Sequence, residues 1–361
     1  MSATDFTKHL TDYQTQIEAD IAKTSANLES YALQHFGEPG RDVIKAYSSV
    51  MSRGGKRLRG ALVLSGYGLC GGNDPAKAMP IARAMEMIQT YLLINDDIYD
   101  QSATRRGGPT AHVMLQSLHA GYKWHGDSAR FGESAASCAA FFGCHMAMQE
   151  ITDSALPNAT KVAILRLLNH AITVTTFGQI HDIYNEASHR ATEVDVANMH
   201  TWKTAYYTFI GPLQAGALAA GAPQKSLEPL YAYGKYMGLA FQAADDLLGT
   251  FGNQKKSGKS TQDDIRDGKF TLLVTHVLTH ASPEQKREFM RYLGSPTLTE
   301  EETAICKKIM QDVGAEDHVR HVAQKASGLA VKALDDVPAS WDKNQLTFLR
   351  GLASYVVERA V

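Results

Sequence analysis

The chain has 361 residues, 44% hydrophobic and 20% charged, which excludes a disordered or fibrous protein and fits a folded globular one. A formal net charge of -2 gives no global pull toward nucleic acid or an anionic membrane, so any anion must be met by a local cluster of cations. Four cysteines without metal-like spacing argue against a disulfide framework and fit free thiols in a reducing, cytoplasmic compartment.

Taken in chain order, the opening MSATDFTKHLTDYQ is polar and acidic, unlike a signal peptide. SRGGKRLRGALVLSGYGL (52–69) sets Lys56, Arg57 and Arg59 behind two glycines and ahead of an apolar helix. Glycines let backbone N–H groups approach an anion, a helix N-terminus favours negative charge, and arginine offers phosphate a planar fork. The Walker frame is absent, and GGKRLR alone also reads as a solvated turn. LLINDDIYDQSATRRG (92–107) then runs from apolar residues into Asp96, Asp97 and Asp100, followed by Arg105 and Arg106. Acids are disfavoured at a helix C-terminus, and Asp96 and Asp100 repel along one face, so something positive must offset them. ASCAAFFGCHMAM (136–148) reads as a buried core helix, and no apolar run reaches the ~18 residues of a membrane span.

Further along, Val162, Leu165, Leu168 and Ile172 recur at helical spacing. The apolar stretch MGLAFQAA (237–244) runs into a second acidic pair, Asp245 and Asp246. A polar loop, GNQKKSGKSTQDDIRDGK (252–269), follows that pair as QSATRRGGP (101–109) follows the first. Val319, Val322, Ala326, Leu329 and Ala333 repeat the helical period near the end. Alternating β-branched runs are almost absent, and about a dozen helical segments are expected. No linker or repeat divides them, so a single all-α domain over residues 1–361 is expected, although length alone suggests roughly two.

Two acidic clusters about 150 residues apart can meet as helices facing across a bundle core. Carboxylates gathered there cannot all stay ionised without cations. Oxygen donors without cysteine favour Mg²⁺, which completes its shell with water and phosphate, so a diphosphate or triphosphate substrate is expected. A lone Asp pair is usually a solvated helix end. Two pairs, each followed by a basic loop, point to a site. Lys203, Lys255, Lys256 and Lys259 add cations, enough for two diphosphates, one bridged by metal and one held by arginines. His145, His170 and His181 read as surface or satisfied core residues.

GGKRLRG, DDIYDQSATRRGGPTAH, FGQIHD, KTAYYTF with PLQAGALAAG, FQAADDLLGTFG, SGKSTQDDIRDGK and the tail LASYVVERA occur in that order. Over nearly the whole chain this resembles the trans-isoprenyl diphosphate synthases, or polyprenyl synthetases. The resemblance implies an isoprenoid synthase-type helical bundle around a central cavity, acting as a homodimer without stable membrane insertion or nucleic acid. It implies that Asp96 and Asp100 bind two Mg²⁺ ions and Asp245 a third, bridged by substrate diphosphate, with Asp97 and Asp246 in support. Arg105, Lys203, Gln242 and Lys259 would hold the allylic diphosphate, with Thr204 beside the reacting carbon. Gly55, Lys56, Arg59, Gln89 and Arg106 would form the isopentenyl diphosphate pocket. Gln179 and Asp182 would line the cavity, and Asp264 and Lys269 would order the metal side. Three positions depart from the family pattern: Gly249 stands where many members have a third Asp, Gly60 where Pro is usual, and Gln89 where many have His.

The implied reaction joins isopentenyl diphosphate to C5–C15 allylic diphosphates. Product length would be set by a floor below the metals. An ideal helix rises 1.5 Å per residue, so Tyr91 lies about 7.5 Å below Asp96. The family rule makes a large residue there the floor and resembles synthases stopping at geranylgeranyl diphosphate (C20). Helical geometry alone places Leu92 and Ile88 more nearly beneath Asp96, so farnesyl diphosphate (C15) stays open. A class I terpene cyclase would not need GGKRLRG. A non-catalytic partner subunit should have lost an acidic cluster. A di-iron bundle needs two ExxH motifs, and only EASH (186–189) occurs.

Overall fold

The computed structural model describes residues 3–252 and 261–358, and the chain is all-α as expected. It clusters into two compact units, Ser2–Arg166 with Ala215–Ala222, and Leu167–Gln214 with Pro223–Val361.

The first unit opens with α1 (Ala3–Ser52), broken at Gly37, whose φ of 70° and ψ of -165° suit only glycine. Next come α2 (Leu58–Leu69), α3 (Met79–Tyr99), α4 (Ala111–Gly121) and α5 (Ser128–Asp153). α6 (Asn158–Ser188) begins in this unit. The carboxylate of Asp127 starts α5 by accepting the Ala129 N–H at 2.8 Å. α3 packs along α5, with Ala84, Met87, Ile88, Ala139 and Ala140 in the core. Tyr47, fully buried, donates to the Met87 carbonyl at 2.9 Å. Its ring lies where a Cβ on Gly143 would sit 2.1 Å away, so only glycine fits there.

The second unit holds the rest of α6, α7 (Glu193–His200) and a π-helical segment (Thr201–Ile210). A capping box between Thr192 and Asp195 starts α7. α8 (Gly211–Ala219) begins in this unit and ends in the first; after it come α9 (Glu228–Phe251), the short α10 (Asp263–Arg266), α11 (Leu272–His280), α12 (Pro283–Tyr292), α13 (Glu300–Asp312), α14 (Ala315–Ala333) and α15 (Lys343–Glu358). α14 packs along α9, and the buried Tyr233 of α9 donates to the Leu349 carbonyl of α15 at 2.8 Å.

Four sequence expectations need adjustment. The buried face of α6 runs through Ile164, Leu168 and Ala171, while Val162 is 54% exposed. On α14 the buried face is Val319, Ala323, Ala326 and Ala330, with Leu329 turned outward, because small side chains allow α9 to approach closely. α9 continues past the second acidic pair to Phe251, so that pair lies inside the helix. The loop after the first cluster forms a small hairpin, Thr104–Arg105 against Gly108–Pro109. Positive φ at Arg106 (51°) and Gly107 (73°) makes its turn match strand twist. The four cysteines are free thiols. Among the described residues no helix is long and apolar enough to cross a membrane.

Candidate active site

In the first unit the backbone turns sharply at Gly54 (φ 49°), Gly55 (φ 123°) and Arg57 (φ 47°) just before α2. Arg57 is buried against Glu86 of α3 at 3.5 Å, with Glu18 at 3.7 Å. Glu86 also accepts the Gly60 N–H at 3.0 Å. This explains the departure at Gly60: proline would remove that donor, and a Cβ there would lie 2.8 Å from Ile17. Arg106 donates to the Gly54 carbonyl at 2.7 Å, and its guanidinium lies 3.0 Å from a Cβ built on Gly55. Burial, then Arg57, lower the pKa of Arg106; Glu86 opposes, and Arg59 and Arg105 add to the lowering. Arg57 and Arg106 beside the Glu86 carboxylate, with Arg59 near Arg106, form a pocket that an anion would stabilise. Lys56 is exposed and Arg59, three residues on, is half-buried. Gln89 lies one turn beyond Glu86, buried, with its Oε1 lacking a hydrogen-bond partner.

The first acidic cluster closes α3, with Asp100 as its C-cap. Asp96 and Asp100 are half-buried, whereas Asp97 is fully buried. Arg105 donates to Asp97 Oδ1 and lies 3.4 Å from Asp96. Burial pushes the Asp97 carboxyl up to about 6, against the pull of Arg105. Arg53 pins the hairpin by donating to the Pro109 carbonyl at 2.5 Å. Deeper on α3, Ile88 is fully buried and Tyr91 and Leu92 are half-buried. Burial, then Cys144 and Tyr99, hold the Tyr91 hydroxyl above its ordinary range.

In the second unit, Asp182 of α6 accepts from Lys203 at 2.5 Å. Burial would raise the Asp182 carboxyl, but Lys203 and Lys269 hold it below the usual range. Lys269 also pairs with Glu186 at 2.6 Å. Gly178 lets the two backbones approach, since a Cβ there would lie 2.2 Å from the Lys203 backbone nitrogen. Gln179, three residues before Asp182, is half-buried on the same helix. Lys203 and Thr204 sit on the π-helical segment, a distortion frequent at functional sites. Thr204 donates to Gln242 Oε1 at 3.0 Å, and Gln242 donates to Asp246 Oδ1 at 3.0 Å. Asp246 is buried; burial and the nearby Asp264, Asp245 and Asp182 raise its pKa far above the usual range despite Gln242. Asp245 is half-buried. His200, fully buried, lies 3.6 Å from Asp246, and burial pushes its pKa down to about 4, leaving it neutral.

The Gly249 departure also has a structural cause. A Cβ at Gly249 would lie 2.2 Å from Asp264 Oδ2, so a carboxylate from α10 occupies the space beside this turn. Gly249→Asp is therefore expected to disrupt the second cluster rather than complete it. The check is turnover together with thermal unfolding; a variant as active and stable as the parent would contradict the packing.

The donors fit a hard divalent cation. They are carboxylates without a neighbouring thiol, and the buried Asp97 Oδ2 and Asp246 Oδ2 have no hydrogen-bond donor. In each unit the half-buried Asp96, Asp100 or Asp245 stands in front of a fully buried neighbour. The buried acids contradict solvated helix ends as the reason for either pair. Lys255, Lys256 and Lys259 lie outside the described residues. Sequence reasoning overlooked Glu86, Arg53 and His200. Only Glu86 left a signal, a charge inside the apolar run AMEMIQTYLL.

A model of the polyprenyl synthetase family matches residues 41–313, which include parts of both units. Geranylfarnesyl diphosphate synthase of Aeropyrum pernix is 31% identical over 321 residues, 86% of this chain and 92% of that protein. (2E,6E)-Farnesyl diphosphate synthase of Mycobacterium bovis is 30% identical over 313 residues, 84% of this chain and 80% of that one. The crystal structure of geranylgeranyl pyrophosphate synthase from Corynebacterium glutamicum, complexed with isoprenyl diphosphate and magnesium, is similar with a TM-score of 0.86. It is 30% identical, and the match covers 99% of this chain and 100% of that one.

Proposed function

The chain belongs to the polyprenyl synthetase family as a prenyl diphosphate synthase, and on that premise we propose that it adds isopentenyl diphosphate to C5–C15 allylic diphosphates to give geranylgeranyl diphosphate. The observation that carries the reading is the pairing of a half-buried acid with a fully buried one in each unit, together with a separate arginine pocket. We propose that both units act as one synthase on one pair of substrates.

Three Mg²⁺ ions would be held by Asp96 and Asp100 and by Asp245, where they would supply Lewis-acid stabilisation of the leaving diphosphate. Asp97 steadies Arg105, and Asp182 steadies Lys203, so each cation is positioned before substrate arrives. From those positions Arg105, Lys203 and Gln242, with Lys259, hold the allylic diphosphate. Gly55, Lys56, Arg59, Gln89 and Arg106 hold isopentenyl diphosphate. When the allylic C–O bond breaks, its electron pair leaves with diphosphate and the cationic side chains stabilise the growing charge. The double bond of isopentenyl diphosphate attacks the allylic cation from short range. A proton then leaves to the departing diphosphate, and Thr204 lies beside the reacting carbon. Asp246 and Gln242 hold Thr204 in place through the hydrogen-bond chain described above. Gln179 lines the cavity, and Asp264 and Lys269 order the metal side.

The partner we propose is a second copy of this chain, in the cytoplasm. Phe177, Ile180, Ile183 and Tyr184 leave an apolar stretch of α6 exposed, which supports a homodimer.

The test is incubation of purified protein with isopentenyl diphosphate, Mg²⁺ and C5, C10 or C15 primers, followed by product sizing. C20 from every primer supports the reading; no elongation of any primer contradicts it. Product stopping at C15 would favour the second reading, supported by the full burial of Ile88 below the acids. Tyr91→Ala is expected to lengthen the products, and an unchanged product would remove Tyr91 as the floor.

A further inference from the structure

Away from the residues assigned above, the second unit brings together Glu193 at the start of α7, His276 on α11 and His318 on α14. One ligand atom from each lies within 4.8 Å of the others. His276 is 8% exposed. Its Nε2 donates to the Val313 carbonyl at 3.1 Å, which fixes the proton on that nitrogen. Nδ1 is then a bare lone pair, and it is buried without a hydrogen-bond partner. Leaving such an acceptor unsatisfied is costly. An imidazole whose other nitrogen is held by a carbonyl is the usual arrangement behind a metal ligand.

His318 Nε2 lies 2.8 Å from Glu193 Oε1, and the His318 ring stacks on His276 at 4.5 Å. The His280 ring also stacks on His276, at 4.1 Å. Burial lowers the His276 pKa most; the Val313 carbonyl opposes it, His280 and His318 add to the lowering, and Glu193 opposes it.

From this geometry we propose that Glu193, His276 and His318 form a structural site for a borderline divalent cation, Zn²⁺ foremost. Two nitrogens and one oxygen suit zinc or cobalt better than magnesium or calcium, which prefer all-oxygen shells. Tetrahedral donors at about 2.0–2.1 Å from the ion lie about 3.4 Å apart, so His318 Nε2 and Glu193 Oε1, now 2.8 Å apart, must part by about 0.6 Å and the wider separations draw in by about 1.4 Å at most. Glu193 and His318 are partly exposed and can move that far. Water or His280 completes the shell. The ion would fasten α7, which continues into the segment bearing Lys203 and Thr204, to α11 and α14.

The test uses the full chain, stripped with chelator and kept in excess Mg²⁺ so that the carboxylate clusters are not the sites being read. It is titrated with Co²⁺, then Zn²⁺. One equivalent of Co²⁺ is expected to give the visible absorption of a low-coordinate, nitrogen-ligated site. Zn²⁺ should abolish that absorption and raise the Tm. His318→Gln and Glu193→Gln, at partly exposed positions, should each weaken binding by more than the about 10- to 100-fold typical of losing an outer partner. Asp245→Asn should leave the spectrum unchanged. Absence of the spectrum in the parent, or unchanged Co²⁺ affinity in His318→Gln, would overturn the site and leave an ion pair beside stacked rings.

Discussion

Asp96→Ala and Asp245→Ala are each expected to abolish turnover while the helical content and unfolding midpoint stay close to those of the parent. Both carboxylates are half-buried, so truncation leaves no uncompensated buried charge. Their proposed work is to gather positive charge on the leaving diphosphate. Loss of a single preorganised stabilising donor in other active sites costs about 10²–10³ in kcat, and loss of a metal ligand should cost at least that. Steady-state rates with radiolabelled isopentenyl diphosphate and far-ultraviolet circular dichroism separate the two effects. Parental rates in either variant would end the metal assignment. Asp97→Ala should behave differently: it removes a buried partner from Arg105 and is expected to lower stability as well as activity.

Glu86→Ala is expected to be the most damaging substitution in the arginine pocket, although its side chain does not belong to the proposed substrate contacts. Glu86 and Arg57 are 4% and 3% exposed. Removing one partner of a buried pair typically costs about 3–5 kcal/mol, because the other charge stays buried. Glu18, 3.7 Å from Arg57, should bring the cost toward the lower end. The change also removes the acceptor for the Gly60 N–H at the start of α2. The expected readouts are a lower unfolding midpoint in urea and a higher KM for isopentenyl diphosphate than for the allylic primer. Glu86→Gln keeps an acceptor for Gly60 and should lose less stability. Unchanged stability in Glu86→Ala would contradict the anchoring role.

The all-α fold and family were legible because helical periods, acidic pairs and basic loops are local patterns. Asp96, Asp97 and Asp100 share one short segment, as do Asp245 and Asp246, and their chemistry could be argued before any fold was known. What stayed hidden depends on contacts across the chain. Glu86 meets Arg57 over 29 residues, and Asp264 fills the space beside Gly249 from a separate helix. His200 is neutral because its burial, with Lys203 nearby, outweighs the carboxylates of Asp182 and Asp245, which no spacing reveals. The misassigned faces of α6 and α14 have a different cause. α6 carries apolar residues on an exposed side as well as a buried one, so periodicity alone does not choose between them. α14 is buried through alanines, whose weak hydrophobic signal is overshadowed by Leu329.

The most direct measurement is a crystal structure of the full chain with Mg²⁺, isopentenyl diphosphate and a non-cleavable allylic thio-diphosphate. The prediction is one allylic diphosphate whose metal ions are ligated by Asp96, Asp100 and Asp245 together, with isopentenyl diphosphate against Arg59 and Arg106. An allylic diphosphate bound by metal at one acidic cluster alone, with the other facing solvent, would contradict it.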